Sequence, residues 1–269
     1  MAADLEARSY TSKGGRKENQ DFLRYDVNKC VFVIADGMGG HAGGRDAGRY
    51  AANTYYDMIC RLKAGLDSEK INPERIKVLM QGRAEALNRR IIGLGNDYEI
   101  KNCGTTLDAV LIHEKSAYIC HIGDGSIFYI DRSAKSLSKL TREHIRHLSN
   151  ENSPSIDLIL SKNDIVNGDL VSHLGIENPR IDTSEKKLGY DYAMILATDG
   201  LTAAVTDDEL LTFTTASGIV RSREKIIKRS KNPFGMVRLF KHLHSEGHSL
   251  SIEGIVGDNV SFILIKGRL

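Results

Sequence analysis

The 269-residue chain holds no apolar run approaching the ~18–20 residues of a membrane-crossing helix, so no membrane span is expected. Its opening residues, MAADLEARSYTSKGG, carry no apolar core, and no secretory signal is expected there. An excess of one charge is missing too. Lys and Arg number 37 against 35 Asp and Glu, a formal net charge of +2. A dedicated nucleic-acid binder presents a concentrated basic surface instead, so no nucleic-acid partner is expected. The four cysteines, Cys30, Cys60, Cys103 and Cys120, form no CxxC pair. Three lie in apolar stretches, which reads as reduced core thiols in a cytoplasmic protein. Proline is scarce at 4 residues while glycine numbers 25, so glycine does most of the turn-making. No repeat, low-complexity tract or Pro/Ser-rich linker divides the sequence, which favours one domain over residues 1–269. A chain of this length buries roughly 70–75% of the surface it exposes when unfolded. It therefore needs neither disulfide nor metal merely to fold.

Short β-rich runs are frequent: residues 31–35 (VFVIA), 108–112 (DAVLI), 117–122 (AYICHI), 126–130 (SIFYI), 193–198 (AMILAT) and 260–265 (VSFILI). The stretch AYICHIGDGSIFYI predicts a hairpin closed by Gly123-Asp124-Gly125. Helical spacing of Ala47, Tyr50, Ala51, Thr54, Tyr55, Met58, Ile59 and Leu62 predicts a helix over 45–63. A second helix starts at Asn72 as N-cap with Pro73 behind it and ends at Gly93 or Gly95. Its apolar stripe is Ile76, Leu79, Met80, Ala84, Leu87 and Ile91. Thr206-Asp-Asp-Glu209 reads as a capping box, and residues 233–246 as a further helix. Two consecutive helices followed by a run of strands break βαβ alternation, so α+β with antiparallel sheets is expected.

The chemistry is concentrated at strand ends. Asp36 follows VFVIA, Asp199 follows MILAT, Asp258 precedes the last strand, Asp124 sits in the turn, and Asp21 lies in Arg16-Lys-Glu-Asn-Gln-Asp21. All but Asp21 adjoin glycine, which lets backbone approach closely and bare a carbonyl. Converging carboxylates repel unless a cation neutralises them, and hard divalent ions suit an all-oxygen set. Two such ions ~3.5–4 Å apart can activate a water for attack on phosphorus. Spacing alone supports a polycarboxylate metal site and leaves open that each Asp-Gly is only a turn.

Eight motifs in chain order resemble the metal-dependent serine/threonine protein phosphatases of type 2C, in their compact bacterial form. Arg16-x-x-Asn19-Gln20-Asp21 is similar to R-x-x-N-E/Q-D, and Asp36-Gly-Met-Gly-Gly40 to D-G-M-G-G. Gly104-Thr105-Thr106 resembles G-T-T, Gly123-Asp124-Gly125-Ser126 resembles G-D-S, and Leu140-Thr141-Arg-Glu-His144 resembles L-T-x-D-H. Leu170-Val-Ser-His-Leu-Gly175, Thr198-Asp199-Gly200-Leu201 and Asp258-Asn259 resemble L-T-x-x-L-G, S-D-G-L and the closing D-N. The resemblance implies a four-layer αββα sandwich of two stacked antiparallel sheets flanked by helices. It implies two Mn²⁺ or Mg²⁺ ions per chain, with an optional third. Asp36 would bridge both ions and the Gly37 carbonyl would join the second. Asp199 and Asp258 would hold the first, and Asp124 with Asp199 the third. Arg16 would grip the substrate phosphate, since a guanidinium matches its geometry and keeps its charge. Asp21 would support the cluster from behind.

Two positions depart from the commonest pattern. Gln20 stands where many members have Glu, and its neutral amide implies a weaker or water-mediated hold on the second ion. Met38 stands where animal members have His, as in bacterial members. A flap is expected at 145–169. His41 reads as a solvated loop residue, residues 225–231 as a solvated basic face, and Tyr50, Tyr55 and Tyr56 as core and boundary residues. Thr105 and Thr106 read as strand packing. The implied activity is hydrolysis of phosphoserine and phosphothreonine in proteins, opposing a Ser/Thr kinase, by a monomer. The alternative is a pseudophosphatase, the same fold acting as a binding or sensing module.

Overall fold

The computed structural model describes residues 4–38, 42–97, 103–147, 168–230 and 258–269. Strand β3 (Val31–Met38) shows how the layers arise. Val31, Val33 and Ala35 pack beneath helices, while Phe32 and Ile34 enter a layer between two sheets. Successive side chains of a strand point to opposite faces, so a strand buried on both reads as an unbroken apolar run. The same division holds for β5 (Leu107–His113), β6 (Ser116–Ile122), β7 (Ser126–Asp131), β12 (Asp191–Ala197) and β13 (Val260–Arg268).

Two antiparallel sheets result. One has the order β1 (Asp4–Ser12), β13, β12, β7, β8 (Ser136–Lys139). The other runs β11 (Asp182–Lys187), β6, β5, β3, β2 (Asp21–Asp26), with β4 (Gly104–Thr105) paired to β3. Helices α1 (Ala42–Asp67) and α2 (Ile76–Asp97) cover the outer face of the β3 sheet. The one-turn α3 (Asp199–Thr202), α4 (Asp207–Thr215) and α5 (Ile219–Ser230) cover the other sheet. This is the four-layer αββα sandwich. A short pair, β9 (Ile145–His147) with β10 (Gly168–Leu170), closes the base of the expected flap.

Both helix-start signals are present. Asn72 Oδ1 accepts from the Glu74 N–H at 2.9 Å, ahead of a 3₁₀ turn that leads into α2. Thr206 Oγ1 accepts from the Glu209 N–H at 3.3 Å while Glu209 Oε2 accepts from the Thr206 N–H at 3.1 Å. The expected stop of α2 at Gly93 or Gly95 is corrected, because the helix runs through both to Asp97. A Cβ at Gly93 would meet no atom within 4 Å, so that glycine answers no steric demand. The expected helix over 233–246, Gly39, Gly40, His41, Lys231 and most of the flap lie outside the described residues.

The expected hairpin over 117–130 is also corrected. β6 and β7 belong to different sheets, and Gly123-Asp124-Gly125 carries the chain between them. Each strand is apolar on both faces and already has a partner on each edge. Gly123 sits at φ +116°, a conformation that L side chains rarely adopt. Besides β2–β3, the hairpins β5–β6 and β7–β8 turn at Glu114 (φ +53°) and Lys135 (φ +51°). Neither turn carries an Asn-Gly or Asp-Gly signature.

Candidate active site

Asp36 sits where β3 leaves the apolar layers, and its backbone is held on both sides. The Asp36 N–H donates to Thr106 Oγ1 at 2.9 Å. Its carbonyl accepts from the Thr106 N–H at 2.9 Å and from the Thr105 hydroxyl at 2.8 Å. Asp21 is its register partner on β2, and the Gly37 N–H donates to the Gln20 carbonyl at 3.0 Å. The start of α1 comes so near that a Cβ on Gly37 would lie 2.1 Å from the Gly44 carbonyl oxygen. Only glycine fits there.

Asp199 opens α3 just past β12, and Asp258 lies just before β13, the neighbouring strand. Asp124 arrives from the crossover turn. Asn259 ties the N-terminal loop to this end of the sandwich. Its Oδ1 accepts from the Gln20 N–H at 2.9 Å, and its Nδ2 donates to the Lys13 and Glu18 carbonyls at 2.9 and 3.0 Å. That loop carries Arg16, whose Nη2 donates to Asp258 Oδ2 at 2.9 Å. The Gln20 amide donates through Nε2 to Glu18 Oε1 at 2.8 Å. Behind the cluster, the Thr198 hydroxyl donates to Asp21 Oδ2 at 3.1 Å.

These acids lie close enough to act on one another's charge. Burial pushes the Asp36 pKa well above the carboxylate range, and Asp21, Asp199, Asp124 and Asp258 all push it the same way. Asp199 is raised well above the range by burial, then by Asp124, Asp258 and Asp21. Asp21 and Asp124 are each pushed up to about 6, chiefly by burial. Asp21 Oδ1 and Asp199 Oδ1 are buried without a hydrogen-bond partner. Such oxygens are costly unless something positive faces them.

The donor set fits hard divalent cations: all oxygen, several carboxylates short of counter-charge, and two buried acceptors without a hydrogen-bond partner. Among the described residues, no three Asp, Glu, His or Cys side chains close around one point as a ready-made cage. A cavity of about 370 Å³, lined by Leu66, Asp67, Pro73, His113 and others, lies at the opposite end of α1 and contains none of these residues.

Every described site residue expected from sequence therefore lies at this end of the sandwich. Thr105 and Thr106, read as strand packing, also fix the Asp36 backbone. Asn259 and Thr198 were quoted only as parts of motifs. Their work is hydrogen bonding across 239 residues for Asn259–Gln20 and 177 for Thr198–Asp21. Local pattern carries no such signal.

The sequence profile of the protein phosphatase 2C family matches residues 13–232. A relative from Streptococcus pyogenes serotype M6, named as of protein phosphatase 2C type, is 29% identical over 219 residues, covering 74% of this chain and 79% of that one. The serine/threonine phosphatase stp of Listeria monocytogenes serotype 4b is 25% identical over 233 residues, covering 82% and 84%. The solved catalytic domain of the serine/threonine phosphatase PstP, in complex with two manganese ions, matches with a TM-score of 0.70 at 18% identity, covering 98% and 99%. At that identity the likeness is one of fold.

Proposed function

The chain belongs to the protein phosphatase 2C family, and we infer from that membership that it is a metal-dependent serine/threonine protein phosphatase. The observation that carries this reading is the buried, mutually repelling set of Asp21, Asp36, Asp124 and Asp199, with Arg16 and Asp258 beside it. Its substrates are phosphoserine and phosphothreonine in proteins, and its counterpart is a Ser/Thr kinase.

Two Mn²⁺ or Mg²⁺ ions bound here would supply positive charge against the phosphoryl group and an acidified water for attack on phosphorus. Asp36 would help hold both ions, the Gly37 carbonyl would serve the second, and Asp199 and Asp258 would serve the first. Asp124, with Asp199, offers a third position. Gln20 contributes a neutral amide to the second position, and the missing negative charge weakens that hold. Asp21 stays behind Asp36, fixed by Thr198. Arg16, paired here with Asp258, would grip the substrate phosphate, since its paired N–H donors match two phosphate oxygens. Cys30, Cys103 and Cys120 lack the setting of a nucleophile: burial raises their pKa, whereas a phosphatase thiolate needs a lowered one.

Residues 1–269 are read as one catalytic domain with a flap at 145–169, acting as a monomer. The core layer shared between the two sheets supports a single domain. Among the described residues, no helix is long and apolar enough to cross a membrane. The four free thiols are in keeping with a reducing, cytoplasmic setting.

Asp199→Asn tests the assignment. It removes a cation-holding charge without changing side-chain shape. Turnover of a phosphothreonine peptide is expected to fall at least ~100-fold while the circular dichroism spectrum persists. Wild-type turnover in the folded variant would overturn the ligand assignment.

A further inference from the structure

One polar row, buried at Asp108 and His121 and partly exposed at Asp182, takes no part in the chemistry above. Asp108 on β5, His121 on β6 and Asp182 on β11 are register partners across three neighbouring strands, which puts their side chains on one face of the sheet. Asp108 and His121 are each 1% exposed. His121 Nδ1 lies 2.7 Å from Asp108 Oδ1, and its Nε2 lies 3.0 Å from the Arg142 carbonyl oxygen. With Asp108 ionised, the carboxylate and the carbonyl only accept, and a ring that donates to both carries hydrogen on each nitrogen. His144, with its ring centre 4.7 Å away, is in the opposite state. Its Nδ1 accepts from the Gly123 N–H at 3.2 Å, and its Nε2 lies 3.1 Å from Asp182 Oδ2. A ring that accepts at one nitrogen and donates at the other is neutral.

These rings grip the turn that presents Asp124. The His144 N–H donates to the Gly123 carbonyl at 2.7 Å, so His144 holds Gly123 through both its backbone and its side chain. On the far side of Asp124, a Cβ on Gly125 would lie 1.9 Å from Asp108 Oδ2. His121 Nε2 anchors the 140–144 segment, which also accepts from the Ile127 N–H through Thr141 Oγ1 at 3.0 Å. The other charged groups nearby are Arg180, which donates twice to Asp182 at 2.7 and 3.0 Å, and Glu143, which acts on Asp124.

We infer that His121 is a standing imidazolium whose ion pair with Asp108, backed by neutral His144, is the positioning device for the Asp124 turn. Burial alone would lower the His121 pKa, but Asp108, the Arg142 carbonyl and Asp182 together outweigh it and the pKa is raised. Burial lowers that of His144, and His121 adds to the lowering. The consequence for metal binding rests on reading Asp124 as a cation ligand, whereas the charge assignment does not.

Long-range ¹H–¹⁵N spectra of the wild-type protein in chelator at pH 7 are expected to show both His121 nitrogens protonated and His144 protonated at Nε2 alone. A neutral His121 would overturn the inference, whether or not any variant folds. Asp108→Asn is expected to give a neutral His121 and to weaken the weakest Mn²⁺-binding step in calorimetry by roughly 10-fold. Unchanged Mn²⁺ binding in the folded variant would overturn the positioning role. The expected ring pattern in a wild-type protein that binds no Mn²⁺ would sink the metal reading and uphold the charge assignment.

Discussion

Asp199 carries the clearest conflict between stability and function. Its Oδ1 is buried without a partner, and burial and three other aspartates oppose its ionisation. Residues held at a cost for function are common at active sites. In metal-free protein, Asp199→Asn relieves that repulsion, so its Tm in chelator is expected to exceed that of wild type. A lower Tm would mean that the carboxylate is already satisfied without a cation. Asp36, Asp124, Asp199 and Asp258 were legible in sequence because each abuts an apolar strand or a glycine turn. The Arg16–Asp258 pair was not, since spacing says nothing about which acid meets a base 242 residues away.

The elements differ in how far their sequences gave them away. β3, β5, β12 and β13 were readable as apolar runs because both of their faces are buried. β1, β2 and β11 escaped notice. β11 (DTSEKK) has no fully buried residue, being an edge strand. α5 also escaped, because it fully buries only Ile219, Ser222 and Ile226 among basic residues. The crossover at Gly123-Asp124-Gly125 was mistaken for a hairpin because Gly-Asp-Gly fits a tight turn within one sheet or between two. Two glycine variants separate the demands on these elements. Gly125→Ala drives a methyl into Asp108 Oδ2 and is expected to cost about 1–3 kcal/mol in denaturant unfolding. Gly93→Ala, in open space on α2, is expected to add about 0.5–1 kcal/mol. Equal effects would show that the crossover is not tightly packed.

At the scale of the whole molecule, a net charge of +2 hides how the charge is arranged. Acids are gathered and buried at one end of the sandwich, and that gathering sets a pH dependence. Asp21 and Asp124, raised to about 6, sit above their unfolded value near 3.8. Their stabilising contribution is therefore complete below about pH 4 and is lost as pH rises through about 6. Tm in chelator is expected to fall across that window. With saturating Mn²⁺ the trend reverses, since protons compete with the cation for the same oxygens. A chelated protein that gains stability from pH 4 to 7 would contradict this charge arrangement. Strand periodicity and element order predict α+β with antiparallel sheets, because both follow from local sequence, while the layered arrangement is implied only by the motifs' family resemblance. The pairing of strands into sheets was not legible, because it is decided by contacts far apart in the chain.

The most direct measurement is hydrolysis of a phosphothreonine peptide by the purified protein, with Mn²⁺ added and then removed by chelator. Turnover is expected only with the metal, vanishing on chelation and returning on resupply. Turnover that survives chelation would contradict a cation-dependent aspartate cluster as the seat of catalysis.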